Sequence, residues 1–161
     1  MNNALMDWSV LLPEIVLASG ICVLLVLDLF VRDSARDLSY LLAIFLLAGV
    51  AWVLIGTSPE STAQLAAGGA YVADDLARVL KLFAVTAVAT VFLYSRPWLR
   101  SRKLHFGEYY VLGLFGLLGV MVLASGYSLL VSYIGLEILS LSLYAMVAFD
   151  RDSARSAEAA M

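Results

Sequence analysis

Glu137 is the residue whose position most strongly suggests chemistry. It lies in an apolar run from Tyr127 to Phe149, ten residues from the start, which is ~15 Å along a helix and near the middle of a bilayer. Asp, Lys or Arg costs about 2.5–3.5 kcal/mol at such a depth, and Glu should cost a comparable amount. A carboxyl group there must be protonated or must find a cation or water. Glu137 is therefore either a proton relay or a neutral hydrogen-bonding link between helices.

Three hydroxyl side chains accompany this glutamate. Tyr133, Ser140 and Tyr144 stand at i−4, i+3 and i+7 from Glu137, so all four share one helix face. We expect this polar stripe to face the interior of a helix bundle, where hydroxyl groups and water pass protons.

Lys81 is a second charge inside an apolar run, about two turns from its start. Two interpretations stay open. Its amino group either snorkels outward to Asp74 or Asp75, or faces inward as a partner of Glu137. Glu14 and Asp28, near the two ends of the first apolar run, are interpreted as membrane-edge residues.

The composition predicts a membrane protein. Of the 161 residues, 63% are hydrophobic and 14% are charged, whereas soluble domains are roughly 45–50% apolar and about 25% charged. Five runs are long enough to cross a bilayer. They predict a single all-α membrane domain over 1–161, embedded in the lipid bilayer, with helices at about 9–31, 38–56, 76–94, 109–125 and 127–149.

The basic residues outside the runs predict the orientation. Every loop that contains Lys or Arg falls on the same side of a five-crossing path, and such loops stay in the cytoplasm. The N-terminus is therefore expected outside and the C-terminus inside. The residues concerned are Arg32, Arg36, Arg96, Arg100, Arg102, Lys103, Arg151 and Arg155.

Other kinds of function find little support. The net charge of −3 argues against nucleic-acid binding. Cys22 and His105 are too few to build a zinc, haem or iron–sulfur site, so we expect no metal or cofactor on this chain. Gly113, Gly116 and Gly119, spaced three apart, are interpreted as a surface for close helix packing.

Several stretches resemble subunit N of NADH–quinone oxidoreductase, respiratory complex I. The stretch around Glu137 is the most specific, and the LPE opening favours subunit N over the related antiporter-like subunits. The matching stretches are Leu12–Leu17 (LPEIVL), Ala73–Arg78 (ADDLAR), Glu108–Met121 (EYYVLGLFGLLGVM), Tyr133–Met146 (YIGLEILSLSLYAM) and Ser156–Met161 (SAEAAM).

The resemblance implies an antiporter-like subunit in the cell inner (plasma) membrane, crossing it several times. It implies proton translocation driven by quinone reduction elsewhere in the complex, with NADH, FMN, iron–sulfur clusters and quinone on other subunits, and other membrane-arm subunits as partners. The glutamate that matches Glu137 is the family's acidic partner for a buried lysine on a seventh helix. Family members have about fourteen helices, so this chain is expected to be a fragment, a partial bundle that stops before the sixth.

Two alternatives remain beside this interpretation. In the first, the chain is a structural or assembly protein whose helices only pack against partners. In the second, it is a subunit of a cation/proton antiporter. In the structural alternative, Gln replaces Glu137 without loss because it still forms hydrogen bonds.

Overall fold

In a computed structural model, the described residues form five long helices and one short hairpin. The structure describes residues 10–30, 36–56, 64–66, 69–102 and 106–149. The elements are α1 (Leu12–Phe30), α2 (Arg36–Gly56), β1 (Gln64–Ala66), β2 (Tyr71–Ala73), α3 (Asp75–Arg102), α4 (Phe106–Ser125) and α5 (Leu129–Val147).

All five helices are long and apolar enough to cross a membrane, which confirms the predicted all-α membrane fold. The main difference is in α3, which continues through Pro97 to Arg102, beyond the predicted end near Tyr94. The orientation stays a prediction. Arg32, Lys103, His105, Arg151, Arg155 and the stretch Ser156–Met161 lie outside the described residues.

α4 is the central helix, because it packs against each of the other four. Its buried residues include Tyr110, Leu114, Leu117 and Met121, each at most 1% exposed. The ring of Tyr110 packs edge-on against the ring of Phe92 on α3, with the ring centroids 5.0 Å apart. α5 lies at the margin of the bundle, with its extensive contacts confined to α4.

The strands β1 and β2 form an antiparallel hairpin between α2 and α3. Gly69, in the turn, has φ +85°, a conformation that favours glycine. The hairpin is tied to the α4–α5 turn, because Tyr71 bridges Gly126 and the amides of Tyr127 and Ser128 donate to the Ala70 carbonyl. The end of the bundle that contains these contacts is called the hairpin end below.

Polar caps fix the helix termini at the hairpin end. The Asp74 carboxylate accepts from the Ala77 amide at 2.7 Å and caps α3, which starts at Asp75, close to the start predicted near residue 76. The Arg78 guanidinium donates to the carbonyls of Leu54 and Ile55 at 2.8 Å each and so caps the end of α2.

Asp28 organises the opposite end of the bundle. Its carboxylate accepts a 2.6 Å hydrogen bond from Ser39, at the start of α2. It also lies directly against Gly107 in the first turn of α4, where a side chain would displace it. Asp28 therefore joins the end of α1 to the starts of two helices, and a carboxylate is favoured beside a helix N-terminus.

Candidate functional site

Glu137 lies in the middle of α5, eight residues after Leu129 and ten before Val147. At 1.5 Å per residue, it is ~12 Å from the start of the helix. The start is fixed by Ser128, whose hydroxyl accepts from the Val131 amide. The mid-helix position predicted for this carboxylate is therefore confirmed.

One face of α5 packs closely on α4. A Cβ atom added to Gly119 would lie 2.6 Å from the Leu139 amide nitrogen, and one added to Gly135 would lie 2.8 Å from that of Leu123. Backbone therefore meets backbone at this crossing, as small residues allow in membrane helices. The close approach predicted for the glycine series is found at Gly119, whereas Gly113 faces the Phe92 ring on α3.

The polar stripe occupies the other side of α5. Glu137 follows Gly135 by two residues, which rotates it by about 200° from the packed face. Tyr133 and Tyr144 on the stripe are each 59% exposed. Glu137 and Ser140 on the same stripe are half-buried. The described helices leave the two tyrosines uncovered because α4 receives the small-residue face of α5, and the orientation of the stripe toward a bundle interior stays a prediction.

The stripe residues differ in how they relate to the carboxylate. The Tyr133 hydroxyl interacts with Glu137 one turn away. The Ser140 hydroxyl donates to the backbone carbonyls of Leu136 and Glu137, at 2.8 Å and 3.2 Å. Tyr144 stands two turns beyond Glu137 on the same face. The immediate partner that the structure brings to this carboxylate is thus Tyr133.

Lys81 pairs with Glu14 instead of Glu137. Its Nζ atom lies 2.7 Å from Glu14 Oε1, with the two side chains 4% and 7% exposed. The predicted pairing of Lys81 with Glu137 is wrong for this chain, because α4 lies between α3 and α5. The alternative of snorkelling to Asp74 or Asp75 is also wrong, since the amino group is buried against α1. Glu14 is in the first turn of α1, as predicted, but it is buried there.

Two hydroxyl groups complete a cluster around this ion pair. Lys81 Nζ lies 3.4 Å from the Tyr71 hydroxyl and 5.3 Å from the centre of its ring. The same hydroxyl lies close to Glu14 and Ser125. Burial, and then the charge of Glu14, raises the pKa of Tyr71 well above its usual value, so it stays a neutral hydroxyl. We call Glu14, Tyr71, Lys81 and Ser125 the hairpin-end cluster.

This cluster was not predicted from the sequence, although a signal was present. Glu14 is the third residue of α1 and Lys81 the seventh of α3. Both helices begin at the hairpin end, so the two residues differ in depth by a distance that a lysine side chain can span. Tyr71 offered no comparable signal, since its place follows from how the hairpin docks on the α4–α5 turn.

Comparison with known proteins places this arrangement in context. No family model matches the chain. It is 51% identical over 156 residues to NADH-quinone oxidoreductase subunit N of Thioalkalivibrio sulfidiphilus, an alignment that covers 96% of the chain and 32% of that protein. The subunit N proteins of Thiobacillus denitrificans and Nitrosomonas europaea are 47% and 41% identical, each over the full chain and 33% of their own length.

The chain matches an N-terminal fragment of subunit N. It spans about a third of the length of the subunit N relatives. The five helices therefore correspond to about a third of each of these relatives. The resemblance inferred from the stretch around Glu137 is confirmed by these relatives.

Proposed function

We propose that this chain is the N-terminal part of a proton-translocating membrane-arm subunit of an NADH–quinone oxidoreductase, with Glu137 as a proton relay. The observation that carries the proposal is a carboxylate in the middle of a membrane-spanning helix, on a face that the described helices leave uncovered. A charge at that depth is costly in lipid, so such residues usually serve a function.

The uncovered stripe fits a larger bundle. The subunit N relatives are about three times as long as this chain. We expect further helices of the longer protein to cover the stripe. They would supply the buried lysine that the resemblance implies for a seventh helix. Tyr133 would then stand between Glu137 and the hairpin end of α5, as a hydroxyl that donates to the carboxylate.

The surroundings of the subunit are also proposed from its relatives. We expect the protein in the bacterial inner (plasma) membrane with its hairpin end outward, and in contact with other membrane-arm subunits. NADH, FMN, iron–sulfur clusters and quinone would be bound by other subunits. This chain would contribute to the coupling between quinone reduction and proton pumping only by moving protons.

Replacement of Glu137 by Gln tests the proposal in the full-length subunit within its complex. Gln keeps the shape and hydrogen bonding of the side chain but cannot exchange a proton at pH 7. We expect normal assembly, with proton pumping and coupled quinone reduction lowered by about tenfold or more, in the range that a positioned acid–base group contributes. Both activities would be measured in sealed membrane vesicles with NADH as donor.

Asp75→Asn is the matched control, because it removes an exposed carboxylate from the first turn of α3. It should leave both activities near those of the wild type. Full pumping in Glu137→Gln would contradict the proposal and favour a structural or assembly role. Equal losses in the two variants would indicate a general effect of charge removal.

A further inference from the structure

The hairpin-end cluster contains an ion pair that the proposed function does not use. Glu14 Oε1 and Lys81 Nζ lie 2.7 Å apart, and both side chains are more than nine-tenths buried. Four elements enclose the pair or its neighbours: α1 through Glu14, β2 through Tyr71, α3 through Lys81 and α4 through Ser125. The pair is therefore a closed site inside the bundle.

Charges are not needed to fill this space. Removing two ions from water is costly, and a buried ion pair is often replaced by apolar side chains with no loss of stability. A lysine two turns from a helix start can also extend to the membrane surface. Lys81 instead turns inward to an acid on another helix. Its placement favours a role that depends on charge.

The neighbouring charged groups are engaged elsewhere. Asp74 caps α3 through the Ala77 amide, and Arg78 binds carbonyls at the end of α2. Asp75 is exposed in the first turn of α3. Among the described residues, Glu14, Lys81 and Tyr71 are thus the titratable groups that face one another inside this cluster.

Tyr71 connects the pair with the hairpin. Its side chain is 3% exposed and its hydroxyl is 3.4 Å from Lys81 Nζ. The hydroxyl stays neutral, so it can accept one proton while it donates another. The hydroxyl also lies close to Ser125 at the end of α4, and the Tyr71 backbone bridges the next residue, Gly126. Hydroxyl groups therefore lead from the ion pair to the α4–α5 turn.

We propose that Glu14 and Lys81 form a second proton-exchange site of this chain, and that the Tyr71 hydroxyl passes protons between this pair and the water at the hairpin end. In the uptake step the carboxylate of Glu14 gains a proton from water through Tyr71 and becomes a carboxylic acid. Lys81 stays an ammonium ion, and the charge of the site rises by one. Release of the same proton restores the ion pair. The proposal rests on the proposed function only in requiring that protons cross this subunit.

Tyr71→Phe is the first test, made in the full-length subunit within its complex. It removes one oxygen atom and keeps the ring that covers Lys81. We expect normal assembly, with a several-fold fall in proton pumping at pH 7 and a shifted pH profile of pumping. Tyr127→Phe is the matched control, because it removes the hydroxyl of an exposed tyrosine at the same end. Equal pumping and equal pH profiles in the two variants would overturn the proposal.

The pair itself is tested by two further variants. Glu14→Asp keeps an acid and should keep a substantial part of the pumping. The double variant Glu14→Gln with Lys81→Met removes both charges together and should assemble but pump several-fold more slowly. Wild-type pumping and pH dependence in the double variant would show that the ion pair only holds helices together. If the double variant fails to assemble, the comparison of Tyr71→Phe with Tyr127→Phe decides the matter.

The outcome for Glu137 is separable from this test. Glu137→Gln, measured in parallel, probes the proposed relay in α5 and leaves the hairpin-end cluster intact. Slow pumping in Tyr71→Phe together with full pumping in Glu137→Gln would contradict the relay at Glu137 and support the site at Glu14. Slow pumping in Glu137→Gln with full pumping in Tyr71→Phe would do the reverse.

Discussion

Glu14 and Glu137 both lie inside membrane-spanning helices, but their surroundings are opposite. Glu14 is 6% exposed and is bound to Lys81 at 2.7 Å. Glu137 stands on the uncovered face of α5, with Tyr133 as its neighbour. Glu14 finds its counter-charge within this chain, because Lys81 on α3 pairs with it. Glu137 has no counter-charge among the described residues, which agrees with the proposal that further helices of a longer subunit complete its site.

The comparison predicts unequal costs when a charge is removed. Lys81→Met should destabilise the chain by about 3–5 kcal/mol, because it leaves the carboxylate of Glu14 buried without a cation. Glu137→Gln should leave stability nearly unchanged, since no ion pair is broken. The free energy of unfolding of each variant in lipid bicelles would measure the difference. Similar stabilities for Lys81→Met and the wild type would show that the ion pair contributes little to the fold.

A second prediction concerns the two faces of α5. Gly119→Val should destabilise the contact between α4 and α5 by about 1–3 kcal/mol, because the new side chain meets backbone atoms that cannot move aside easily. Ala145→Val enlarges an exposed position of α5 and should have a much smaller effect. The same unfolding measurement applies. A larger loss in Ala145→Val would mean that α5 packs through another face.

The smallest effect is expected at the end opposite the hairpin. Ser39→Ala removes the hydroxyl that donates to Asp28 at 2.6 Å, and Ser39 itself is 3% exposed. The cost should be about 1–2 kcal/mol, because a partly buried carboxylate loses one donor. Ser19→Ala is the control, since the Ser19 hydroxyl donates to the Val16 carbonyl in its own helix turn. Identical unfolding curves for the two variants would contradict the proposed role of Asp28 in joining α1, α2 and α4.

Much of the fold could be predicted from the sequence because helix length and hydropathy are local properties. The five spans, the start of α3 after Asp74 and the mid-helix position of Glu137 all follow from them. The direction of the polar stripe does not follow from these local properties. In lipid, apolar side chains cover both faces of a helix, so a polar stripe does not show which face meets a neighbour. The small residues Gly119 and Gly135 mark the packed face instead.

The partner of Lys81 needed tertiary information. Sequence spacing places Lys81 and Glu137 on helices that run in the same direction, but it does not show that α4 separates them. The buried position of Tyr71 likewise depends on the pairing of β2 with the α4–α5 turn. Both features arise from contacts between segments far apart in the chain, which local patterns do not encode.

The rate of proton pumping driven by NADH oxidation tests the central claim most directly. It would be measured in sealed vesicles for the wild type, Glu137→Asp and Glu137→Gln of the full-length subunit within its complex. A proton relay at Glu137 predicts that the shorter acid keeps a substantial part of the wild-type rate and that the amide lowers it by about tenfold or more. A wild-type rate of pumping in Glu137→Gln would contradict the account.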